Sequence, residues 1–183
     1  MKTIMYVMLA LCMTACSSSD DFKTAESTPY VASVATEFDF DARDFAEAFN
    51  RAARKQNQGY HIDHVEIQQG VMHDYFRQML DANISLSASL SRETGRITTV
   101  TLLFKDQADA HDRVKLLPLA KLIMLAVNPR LSPQQAETVA NAMLDEMTTT
   151  TDARHFPQRF IDHVRYAVRS DSAVGYWWTA NPA

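Results

Sequence analysis

Residues 84–104 read ISLSASLSRETGRITTVTLLF. Ile84, Leu86, Ala88 and Leu90 alternate with Ser85, Ser87, Ser89 and Ser91, a period of two that gives a strand one apolar face and one hydroxyl face. Arg92-Glu93-Thr94-Gly95 reads as a turn. Arg96 to Phe104, rich in β-branched residues, reads as the return strand. A hairpin of this kind needs cover on its apolar side only. The expectation is therefore an antiparallel sheet whose other face meets water, not a parallel sheet buried on both sides.

Working outward, the flanks supply further strands and the cover. Upstream, His61 to Gln68 and Val71 to Leu80 fit a second hairpin around Gln69-Gly70. Met72, Phe76, Met79 and Leu80 also fit a helix, so residues 71–80 stay open between the two forms. Before them, Asp41 is placed to cap a helix whose core face is Ala42, Phe45, Ala46, Phe49, Ala52 and Ala53. Its late basic residues, Arg51, Arg54 and Lys55, read as a solvated helix end that complements the helix dipole. Downstream, Asp112 to Val127 is apolar from Leu116 onward, and Pro118 either starts the true helix or kinks it. Asn128-Pro129 ends that helix. Ser132-Pro133-Gln134-Gln135 then gives an N-cap, a proline at the first helical position and a capping-box glutamine. Ala136, Val139, Ala140, Met143, Leu144 and Met147 form the stripe that follows. Phe160 to Val168 and Val174 to Thr179 read as a closing hairpin across Ser170 to Ala173. The fold class expected is α+β, an antiparallel sheet of about four to six strands with about three helices packed on one face. Ile62-Asp63-His64-Val65 recurs as Ile161-Asp162-His163-Val164, but the flanks share nothing more, so no internal repeat is inferred.

The amino end carries a different kind of signal. Met1-Lys2 precedes the apolar run TIMYVMLALCMTA, Thr3 to Ala15, which is too short to span a membrane at the ~20 residues a helix needs. Small residues close it, which is the layout of a cleaved signal peptide. Met13-Thr14-Ala15-Cys16 resembles the lipobox of bacterial lipoproteins, with Met13 where leucine is commoner. That resemblance implies cleavage before Cys16, acylation of its thiol and attachment to a membrane facing the periplasm. Ser17 in place of an aspartate implies the outer rather than the inner membrane. The only other cysteine, Cys12, would leave with the signal, so the mature chain has no partner for a disulfide. Ser17 to Thr36 is rich in Ser, Thr, Ala and acids and reads as a flexible tether spanning roughly 25 Å. Tyr30 to Val34 could alternatively pack as an edge strand. The organisation expected is thus a signal peptide over 1–15, a lipidated amino end and tether over 16–36, and one α+β domain over 37–183.

Composition bounds what that domain does. The chain has 183 residues, 46% hydrophobic and 22% charged, as ordinary globular domains do. Its net charge is −4, or −5 once Lys2 leaves with the signal, which excludes bulk attraction to nucleic acid. Four glycines leave no Gly-rich phosphate loop, and no serine sits in a strained nucleophile turn. His61 and His64, three apart in an expected strand, would point to opposite faces, so neither metal nor other cofactor is expected. Asp63, Glu66, Asp74, Asp81 and Glu93 could supply paired carboxylates, whose spacing in space the sequence does not give. Tyr176-Trp177-Trp178 is the one aromatic cluster that suggests an interaction surface. Alternation puts Tyr176 and Trp178 on one face and Trp177 on the other. The reading is a non-enzymatic, membrane-anchored binding or accessory module with a protein partner in the periplasm, one version being a toxin-neutralising (immunity-type) protein. The alternatives are an envelope-polymer hydrolase with a carboxylate site and a purely structural envelope protein.

Overall fold

In a computed structural model, the structure describes residues 37–105, 110–149, 156–171 and 174–183. The expected signal, tether and 30–34 strand lie outside the described residues. Nine elements follow in chain order: α1 (Ala42–Lys55), β1 (Asp74–Asp81), β2 (Ile84–Leu90), β3 (Ile97–Phe104), α2 (Ala110–Val127), α3 (Pro133–Thr149), β4 (Gln158–Ile161), β5 (Val164–Asp171) and β6 (Gly175–Pro182). The six strands form one antiparallel sheet in the order β1-β2-β3-β6-β5-β4. Two three-stranded meanders thus meet along the β3–β6 pair. The α+β expectation holds, at the upper end of its strand range.

Helix starts follow local chemistry. Asp41 caps α1 by accepting from the backbone N–H of Arg43 (2.8 Å) and Asp44 (3.0 Å), while Asp44 returns a bond to the Asp41 N–H. Ser132 and Gln135 make the same reciprocal arrangement at α3. Helix α2 runs through Pro118 instead of starting at it; the bond it forfeits falls on Val114, an exposed position. From Leu116 on, α2 buries side chains around most of its circumference, because it touches α1 and α3 as well as β3 and β6.

The core lies between these helices and one sheet face. Phe76, Leu86, Ala88, Val100, Leu102, Tyr166, Val168, Tyr176, Trp178 and Ala180 point into it. Gly175 opens β6 at φ +97°, and a β-carbon there would lie 2.0 Å from the Phe104 carbonyl oxygen, so only glycine permits the approach of β6 to β3.

One open choice is resolved and two expectations need correction. Residues 71–80, left open between strand and helix, are strand from Asp74: Phe76 is buried while Met72 and Met79 are exposed, so the helical spacing was fortuitous. His61 to Gln68 is not a strand. Asn50 pins the chain there by donating to the Ile62 carbonyl (3.0 Å) and accepting from its N–H (2.9 Å), and only Gln68 pairs, with Tyr75. Phe160 to Val168 is not one strand either. Asp162, at φ +53°, turns the chain so that β4 and β5 pair with each other. The two Ile-Asp-His-Val runs accordingly differ in structure, one pinned as a loop and one forming this turn.

Candidate functional site

The sheet face away from the helices is assembled by strand register. Three rows cross it. The first runs Tyr75, Ser89, Thr99, Asn181, Arg165, Phe160, with the Thr99 hydroxyl donating to the Asn181 side chain at 2.8 Å. The second runs Arg77, Ser87, Thr101, Thr179, Ala167, Gln158. The third runs Met79, Ser85, Leu103, Trp177, Arg169. The centre is thus a field of short hydroxyl side chains, flanked by aromatics and by Arg77 on one side and Arg165 and Arg169 on the other. These rows contain no carboxylate, although the chain as a whole is acidic. Asp171 lies beyond them at the β5–β6 turn, where its carboxylate accepts from the Val174 N–H at 3.2 Å.

Trp177 is the large aromatic near the middle of this field, 38% exposed. Tyr176 and Trp178 are buried beneath the helices, as strand alternation requires. The cluster read from the sequence therefore divides: one of its three residues is available to a partner. Arg169, the cross-strand neighbour of Trp177, places its guanidinium over the Phe156 ring at 4.9 Å. Arg77 reaches across to the Ser85 hydroxyl at 3.4 Å. What the sequence did not reveal is that Arg77, Arg165 and Arg169 share a face, since that depends on the strand order.

A second concavity, a groove of about 830 Å³, lies at the end of the helix layer. Phe38 and Phe40 stack there with ring centroids 4.9 Å apart, and Phe40 in turn stacks on Phe45. Leu125, Leu131 and Pro133 form the facing wall, and the Asp162-His163 turn closes one side. Buried Asn128 bolts that turn to the end of α2, donating to the Asp162 carboxylate at 2.8 Å. The rim mixes Glu37, Asp39 and Asp44 with Arg51, Lys55 and Arg130, so Arg51 and Lys55 border a concavity as well as ending a helix.

Neither surface assembles the carboxylates singled out earlier. Asp74 pairs with Arg92 (3.3 Å) and Asp81 with Lys115 (3.2 Å), while Asp63, Glu66 and Glu93 are exposed on loops. None of the five lines the groove. Among the groove's own acids, Glu37 is held below the usual carboxylate range by hydrogen bonds from the Ser91 and Thr94 hydroxyls, opposite to what a general acid needs. The described lining includes no serine, threonine or cysteine nucleophile. His61 sits 3.8 Å from Asp63, both exposed, and among the described residues no three His, Cys, Asp or Glu side chains are grouped to hold a metal ion. Nor is any described helix long and apolar enough to cross a membrane.

No curated protein and no solved structure matches the chain significantly. A family model does, over residues 3–183, under the description "Protein of unknown function (DUF1454)", and the chain belongs to that family. The match begins within the apolar amino-terminal run and takes in Cys16.

Proposed function

We propose that this member of the DUF1454 family is a lipid-anchored envelope lipoprotein whose domain works as a binding module, presenting its helix-free sheet face to a protein partner in the periplasm. One observation carries the reading: a six-stranded face over which none of the described helices packs, holding Trp177 and three arginines without a carboxylate in its rows. Arginine and exposed tryptophan are the side chains that dominate binding energy at protein interfaces. An acidic patch on the partner complements them, and an acidic toxin surface is one instance. Against catalysis stand the dispersed carboxylates and the downward shift at Glu37. The anchor rests on Met13-Thr14-Ala15-Cys16, with Ser17 favouring the outer membrane.

Three substitutions test the reading, one for each half and one as a core control. Trp177→Ala should change stability by about 0.5 kcal/mol and still reach the membrane, yet lose its partner in a pull-down from solubilised envelopes. Trp178→Ala removes a core side chain and should cost roughly 3–5 kcal/mol. A Trp177→Ala protein that recovers every partner would remove this face from consideration. Cys16→Ser should abolish palmitate labelling and membrane fractionation, and equal membrane association of both forms would refute the anchor alone.

A further inference from the structure

The described chain enters its domain at one end of the sheet. Phe38 donates its N–H to the Ile97 carbonyl (2.8 Å), and the Thr94 hydroxyl donates to the Glu37 carboxylate (2.6 Å). The β2–β3 turn therefore borders Glu37 and Phe38, where the described chain begins. The other side of the same turn holds a second loop. Arg92 donates from its guanidinium to the Gly70 carbonyl and to the Asp74 carboxylate (3.3 Å). Two residues of that loop project with almost no protein around them: Val71 is 94% exposed and Met72 79%. Ile67, three residues before Gly70, is 53% exposed. Side chains of this kind at a loop tip forgo favourable burial in water, and adjacent exposed apolar side chains are what a contact surface offers.

The occupant follows from where the tether attaches. On the tether reading of the sequence, residues 17–36, which join Cys16 to Glu37, would span roughly 25 Å on average. The domain end from which the chain leads back towards Cys16 is the end that carries Val71 and Met72. We infer that the Val71–Met72 tip inserts into the lipid surface to which Cys16 is anchored. This inference rests on the lipoprotein reading above. Two apolar side chains bind bilayers weakly on their own. Tethering at an effective concentration of about millimolar makes the contact intramolecular and populates it. Because the tip lies at the end of the strands, its insertion stands the sheet up from the bilayer and leaves the Trp177 face turned sideways, accessible to a partner.

The full lipidated chain tests this directly. Acylation occupies the Cys16 thiol, so Met72→Cys supplies the sole reactive cysteine for an environment-sensitive NBD label. Thr138→Cys, on the exposed side of α3, is the control. In phosphatidylcholine vesicles doped with doxyl-labelled lipid, NBD at residue 72 should shift to the blue and lose emission, and NBD at residue 138 should do neither. Adding Val71→Asp to the Met72→Cys chain should reverse the quenching. Equal signals at both positions in protein that floats with the vesicles would overturn the tip contact and leave the anchor standing. A blue shift at residue 72 that grows with protein concentration and is indifferent to the doxyl lipid would assign the tip to a second copy and overturn the lipid contact. Labelling of Cys16 itself, with no flotation, would refute the anchor and this inference with it.

Discussion

Tyr166 shows how one buried atom sets a response to pH. Its ring is fully inside the core opposite Ala180, and among the described residues its hydroxyl has no hydrogen-bond partner. The nearby Asn128 amide is already committed to Asp162. Burial raises the phenol above its ordinary value; the Asn128 side chain pulls weakly the other way and the Asp162 charge adds to the rise. The unfolded chain ionises this tyrosine near pH 10 and the folded chain resists, so the associated stability is intact below that pH and falls away above it. Tyr166→Phe should therefore leave stability at pH 8 within about 1 kcal/mol, since at most one weak hydrogen bond, to Asn128, is at stake. Between pH 10 and 11 it should flatten the decline by up to about 1.4 kcal/mol per pH unit. Urea titrations of both proteins at pH 8 and pH 11 check this, and parallel pH dependences would contradict it.

At the scale of elements, the loop after α1 depends on a single side chain. Asn50 satisfies both backbone groups of Ile62, which fixes the path from α1 to β1 without secondary structure. Asn50→Ala should cost about 1–3 kcal/mol and speed amide exchange across residues 58–68 while α3 is unchanged. Unaltered exchange there would show that packing of Ile62 alone holds the loop. The same comparison explains what was legible beforehand. The 84–104 hairpin and the caps at Asp41 and Ser132 are written locally, in strict alternation or in residues three apart. The β4–β5 turn escaped notice because its left-handed residue is Asp162 rather than glycine, so no break signal interrupts the run from Phe160 to Val168. Around β1, Met79 within the strand and Met72 just before it imitate a helical stripe, yet both face water.

For the whole molecule, the split of Tyr176, Trp177 and Trp178 between faces was readable from alternation, whereas the arginine field and the groove were not. The field needs β3 beside β6, and the groove gathers α1, the α2–α3 turn, the β4–β5 turn and Pro182 from far apart in the chain. A chain beginning at Thr36 should unfold cooperatively without reductant, and chelator should not move its melting temperature. A chelator-induced drop would reveal a metal that contributes to folding. The position of β6 has a further consequence. It follows every other element in chain order, yet it lies at the centre of the sheet and delivers Trp178 to the core. For a polypeptide threaded amino end first through a narrow channel, the two halves of the sheet have no way to join until β6 has emerged. Such a chain stays open, and so transportable, for the whole of its passage, and it closes only on the far side.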